Sequence, residues 1–96
     1  MIPITPHQIA DERIKIAYEY GDLGEKLVEI KKIKATKWLE LRVENKSDTQ
    51  TDRAWDRTEL GILEMEIRAK MKSKELKMSA LKTQIDVLNN EARNQY

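Results

Sequence analysis

Residues 60–92 read LGILEMEIRAKMKSKELKMSALKTQIDVLNNEA, and this stretch decides the fold. Leu60, Ile67, Lys74, Leu81 and Leu88 recur every seven residues, and Met71, Met78, Ile85 and Ala92 form a companion series four further on. Leu63 widens the stripe at its start. Apolar residues spaced three and four apart over several heptads are the seam of a coiled coil. The spacing predicts a helix over residues 52–93.

Upstream of this helix, Asn45 to Thr51 (Asn-Lys-Ser-Asp-Thr-Gln-Thr) is the only loop-like segment. Thr49 or Thr51 is the expected cap of the helix that follows, with Asp52 near its positive end. A first helix is predicted over residues 6–44, after a tail of residues 1–5. Thr5-Pro6-His7-Gln8 starts it: Thr5 can cap, Pro6 suits the first helical position, and Gln8 completes a capping box. Ile9, Ile16, Tyr20, Leu23, Leu27, Ile30, Trp38 and Leu41 form its apolar stripe. Gly21 and Gly24 interrupt the helix and mark either a weak point, a close helix crossing or a break. Two long helices and a short polar connection predict an all-α, long antiparallel helical hairpin, a coiled coil in one domain.

Composition agrees with that architecture. Of 96 residues, 36% are charged and 5% aromatic, with no Phe. Such a chain has few large side chains for a compact core, so a long seam and self-association are expected to supply much of its stability. There is no Cys, which removes thiolate chemistry and fits a reducing cytoplasm. No apolar run approaches the roughly 20 residues that cross a bilayer. The net charge of +1 gives no global pull toward nucleic acid, so only local clustering could.

Catalytic chemistry finds little footing. His7 is the only histidine and has no second histidine or cysteine to share a metal with. The carboxylates lie along helical faces with Lys or Arg three or four residues away, the pattern of solvated ion pairs. Gly21-Asp22-Leu23-Gly24 lacks the spacing of a phosphate-binding loop. No enzyme activity, no cofactor, no metal and no small-molecule substrate are expected.

Charge clustering remains. Between Lys26 and Lys46 seven cations face three carboxylates, and between Glu66 and Lys82 six face two, so each stretch carries +4. In an antiparallel hairpin position 34 falls opposite about position 64, which sets the two stretches side by side. The candidate nucleic-acid contacts are Lys31, Lys32, Lys34, Lys37, Arg68, Lys70, Lys72, Lys74 and Lys77. Lys34 and Lys74 stand where the seam expects an apolar residue. Each either fixes register or packs its stem while its ammonium reaches water. Trp55, in the run Asp52-Arg53-Ala54-Trp55-Asp56-Arg57, is expected to cap the hairpin tip or to meet a subunit or partner. Trp38, Trp55, Leu60, Ile67, Met71, Met78, Leu81, Ile85 and Leu88 are the candidate partner or oligomer contacts. Ile14, Tyr18, Val28, Leu39, Ile62 and Met65 fall on the far side of the seam and predict a dimer or higher oligomer.

The second half also carries a resemblance. Lys46-Ser47-Asp48, Thr51-Asp52-Arg53-Ala54-Trp55, Gly61, Ser79-Ala80-Leu81-Lys82 and Glu91-Ala92-Arg93-Asn94-Gln95-Tyr96 resemble small phage-encoded helical proteins of recombination and replication regions. Some of these are labelled UvsY-like recombination mediators. The resemblance implies a cytoplasmic phage protein in the host cell, an oligomer that binds single-stranded DNA beside a recombinase or a single-strand-binding protein. A different reading of the same hairpin is a non-catalytic interaction module, such as a phage inhibitor of a host or defence complex.

Overall fold

A computed structural model of the chain describes residues 5–94, with the side chains of residues 5–91. The described residues form helices α1 (Pro6–Glu44), α2 (Asp48–Asp56) and α3 (Glu59–Asn94) in an extended body of 69 × 20 × 19 Å. The tail of residues 1–4 and the expected seam position of the Ala92 side chain lie outside the described residues.

α1 starts where its sequence says it should. The Thr5 hydroxyl accepts from the Gln8 amide at 3.1 Å, and the Gln8 side chain accepts from the Thr5 amide at 3.2 Å. This reciprocal pair satisfies two of the donors that a helix start leaves open. The helix then runs unbroken for 39 residues, about 58 Å at 1.5 Å per residue. Neither glycine breaks it, because every residue between them keeps its helical bonds and nothing crosses closely there. A methyl at Gly21 would have no neighbour within 4 Å, and one at Gly24 would make ordinary contact with Met71 Cε at 3.9 Å.

The connection differs from the expected loop over 45–51. α1 ends at Asn45, whose side chain donates to the Leu41 carbonyl at 2.7 Å. Ser47, rather than Thr49 or Thr51, caps the next helix, accepting from the Gln50 amide at 3.2 Å. The Gln50 side chain accepts in turn from the Lys46 amide at 3.0 Å. Arg42 braces the turn from α1, bonding Asp48 at 2.8 Å and the Asn45 carbonyl at 2.7 Å. Thr51 is fully buried inside α2, its hydroxyl bonded back to the Ser47 carbonyl at 2.8 Å.

Nor is the second helix continuous from residue 52. It breaks at Arg57–Thr58, so the chain has a short α2 before the long α3. Thr58 makes the break. Its amide and hydroxyl both donate to the Trp55 carbonyl, at 2.9 and 2.6 Å, which closes α2. The same hydroxyl accepts from the Gly61 amide at 3.0 Å, which opens α3. Gly61 is required by the close approach that results. A Cβ there would lie 2.0 Å from the Trp55 carbonyl oxygen. The offset turns Trp55 inward to 1% exposure at the hairpin tip.

α3 returns along α1, and the apolar seam divides into two clusters. Near the tip Leu27, Ile30, Trp55 and Ile67 are buried, with Leu23, Trp38, Leu41, Leu60 and Met71 packed around them. Toward the open end Ile9, Ile16 and Leu81 are buried, flanked by Met78, Ile85 and Leu88. Between the clusters lies a polar layer, built from Glu19, Tyr20, Lys74 and Glu75.

Candidate functional site

Each seam lysine has a carboxylate waiting on the opposite helix. Lys34 donates to Glu64 Oε1 at 3.2 Å and stands 5.5 Å from the centre of the Trp55 ring. Glu64 is itself buried, at 6% exposure. Its second oxygen, Oε2, and the Trp55 Nε1 are buried without a hydrogen-bond partner among the described residues. The pairing of 34 with 64 is the alignment expected from an antiparallel hairpin. Lys74 bonds Glu19 of α1, and next to it the Tyr20 hydroxyl donates to Glu75 at 2.9 Å. The Lys74 hydrogen bond, reinforced by its charge, holds the Glu19 carboxyl below its ordinary pKa. The bond to Glu75, whose charge adds to it, raises the Tyr20 phenol above its own.

These contacts change the reading of the basic band. Lys34 and Lys74 face the seam and are committed to internal ion pairs. Of the exposed cations, Lys37 pairs with Glu40 at 3.4 Å and Lys72 with Glu75 at 3.8 Å, each within one helical turn. Lys31, Lys32, Arg68, Lys70 and Lys77 are exposed and have no carboxylate within ion-pair distance among the described residues. They do not form one surface. Arg68 and Lys72 line one flank of the seam with Tyr20 and Leu27. Lys26 and Lys70 line the other with Ile30, Ile33 and Leu63. At the helical repeat of about 100° per residue, Lys32 lies on the outer face of α1, away from α3. The two +4 stretches are also offset along the hairpin rather than side by side: Lys34 stands opposite Glu64 and Lys74 opposite Glu19, each outside the other stretch, so they overlap only near residues 26–32 and 66–72.

The candidate partner contacts are likewise spent within the chain. Trp55, Ile67 and Leu81 are buried, and Leu60, Met71, Met78, Ile85, Leu88 and Trp38 pack around them. Trp38 also donates its indole N–H to Asp52 at 2.7 Å, fastening α2 to α1. Burial of Trp55, Ile67 and Leu81 within one chain follows from the seam itself, while the six around them remain partly exposed. The far-side residues are the accessible ones. Tyr18 is 74% exposed and Leu39 62%, and Ile14, Val28, Ile62 and Met65 are also exposed. To these the structure adds Ile33, Val43, Leu63, Leu76 and Val87.

His7 is exposed beside Asp11 at 3.4 Å. Among the described residues no three His, Cys, Asp or Glu side chains converge as a metal site would need. No helix among them is long and apolar enough to cross a membrane. A groove of about 400 Å³ at the tip is lined by Lys37, Glu40, Leu41, Glu44, Trp55, Thr58, Glu59 and Leu60. No family model, curated protein or solved structure matches the chain.

Proposed function

We propose that this chain is a non-catalytic interaction module, a helical hairpin that self-associates as a coiled-coil oligomer. One observation carries this reading: five large apolar side chains on the outer face of α1, Ile14, Tyr18, Val28, Leu39 and Val43, stay exposed while the seam is filled from within. An exposed apolar stripe of that length is a feature of surfaces that are covered by a partner. Sedimentation equilibrium from micromolar to hundreds of micromolar tests it. The expected result is a mass above 11.3 kDa that rises with concentration. A mass fixed at the monomer value across that range removes self-association.

A second reading, an accessory DNA-binding protein of a phage recombination system, is favoured by the unpaired Lys31, Lys32, Arg68, Lys70 and Lys77. Because they surround the hairpin, a single strand that winds across the body fits them better than a straight duplex lying on one face. The carboxylates close to the other cations limit how many phosphates the chain can neutralise. Affinity for single-stranded DNA should fall with log[salt] with a slope of about −0.7 per phosphate neutralised. Mobility shift at low and moderate salt, with wild type and an Arg68→Ala, Lys70→Ala variant, measures this. No shift at low salt removes DNA from the account and leaves the interaction module. A recombinase or single-strand-binding protein as partner would follow only from a positive result.

A further inference from the structure

The outer face of α1 is close to a palindrome in chemistry. With about 3.6 residues per turn, Ile14, Tyr18, Gly21, Glu25, Val28, Lys32, Thr36, Leu39 and Val43 fall in one stripe opposite the α3 seam. All nine are exposed. Read from either end, the order is apolar, apolar, small, charged, apolar, charged, small, apolar, apolar. Between the two halves the charge changes sign, and the small residue is a glycine on one side and a threonine on the other.

We propose that a second copy of this chain docks on this stripe, with the two α1 helices antiparallel about a two-fold axis that passes between Val28 and Glu29. This rests on the self-association proposed above and names its face, direction and register. A two-fold axis makes each contact occur twice, residue i on j and j on i. Placed there, it sets Ile14 against the partner copy's position 43 and Tyr18 against position 39. Gly21 meets position 36, and Glu25 meets position 32, where a lysine stands. The outer apolar groups meet apolar groups, each of these charges meets its opposite, and the threonine meets the one position with no side chain. A parallel pairing would stack Glu25 on Glu25 and Lys32 on Lys32.

Gly21 gains a purpose in this arrangement. A side chain there would touch nothing within the hairpin, so the fold of one chain does not require glycine. Opposite a branched threonine, it makes room for the methyl and hydroxyl, lets two helix backbones approach, and leaves space beside it for the Tyr18 ring. Glu29 falls on the margin of the stripe beside the axis, one helical turn from the partner copy's position 32. The shared stripe spans about 44 Å, and the four long helices of the assembly form a layer with the two α1 helices at its centre.

Cysteine scanning tests the register directly, because the chain has no cysteine of its own. Val28→Cys, next to the axis, should cross-link with itself under mild oxidation. Ile14→Cys alone should not, but a mixture of Ile14→Cys and Val43→Cys should. Ser73→Cys, on the outer face of α3, serves as the comparison. In parallel, Glu25→Lys and Lys32→Glu should each weaken dimerisation about tenfold, from two reversed ion pairs per dimer, with helicity unchanged. The double exchange should restore it. Self-cross-linking of Ile14→Cys would mean a parallel pair, and preferential cross-linking of Ser73→Cys would move the interface to α3; either overturns the proposal. A wild-type dimer indifferent to both charge reversals overturns this face while leaving self-association intact. A wild-type monomer at hundreds of micromolar overturns both.

Discussion

Above the Glu19–Lys74 pair, toward the tip, α1 packs against two helices; below it, toward the open end, it packs against one. The tip holds Trp55 and Thr51 at almost no exposure, together with a buried carboxylate. The open half buries Ile9, Ile16 and Leu81, with Met78, Ile85 and Leu88 only partly covered. A buried aromatic held from three sides loses more when disturbed than an aliphatic on a two-helix seam. The same polar device also has different consequences in the two halves. Lys34 meets a carboxylate whose side chain is 7% exposed, whereas Lys74 meets one that is 37% exposed. Charge placed in a dry site depends on its partner; charge at a wet margin does not.

The largest expected effect breaks the tip alone. Gly61→Ala places a methyl against the Trp55 carbonyl, and backbone on both sides must move to admit it. The cost should be about 3 kcal/mol, at the upper end for an overpacked site. Urea unfolding should show a lower midpoint, with Trp55 fluorescence shifted toward that of an exposed indole. A stability equal to wild type would show that α2 and α3 are not locked together at this point.

The two seam lysines give the sharpest contrast, because their replacement by apolar residues should act in opposite directions. Lys34→Met removes the cation from Glu64, whose second oxygen already lacks a partner, and from the Trp55 ring. The loss should be about 2 kcal/mol, since one side of a buried pair is left uncompensated. Lys74→Leu leaves Glu19 able to turn to water and joins the two apolar clusters into one seam. It should raise Tm by about 5 °C, measured by thermal circular dichroism. If both variants move Tm the same way, the burial difference between Glu64 and Glu19 does not control the seam.

The long helices and the α1 cap were legible in the sequence because they are local. A Thr-Pro-x-Gln start and a three–four spacing depend on residues within one or two turns. The α2 boundaries were not. Residues 45–51 contain several side chains able to cap, and the choice of Ser47 follows from Arg42 reaching across to Asp48 and Asn45. The break at Thr58 is likewise tertiary. Its hydroxyl serves two helices at once, and Gly61 matters only because Trp55 folds back against it. The nine candidate DNA-contacting cations cluster along the chain, and that much is local. Which of them remain available depends on Glu64 and Glu19, carboxylates 30 and 55 residues away in sequence from Lys34 and Lys74. The stripe spacing of α1 showed which residues point away from α3, because that too depends only on residues within a few turns.

The smallest expected effect lies in the polar layer that separates the two halves, and it depends on pH. Lys74 keeps the Glu19 carboxyl below its ordinary value in the folded chain. A lowered carboxylate favours the fold above the unfolded value of about 4.3, and the contribution is lost as pH falls through the lower folded value. Tyr20 works at the other extreme. Its raised phenol favours the fold below about pH 10, and that contribution disappears as pH rises through the folded value. Both groups are partly exposed, so each change should be small beside that of Gly61→Ala. Glu19→Gln should therefore lower stability slightly at neutral pH and converge with wild type under acid conditions, seen as two denaturation midpoints that approach each other as pH falls below the unfolded value and merge once it is below the lowered folded one. Curves that stay separated there would mean that position 19 acts through packing, and that the layer between tip and open end is held by Tyr20 and Glu75 instead.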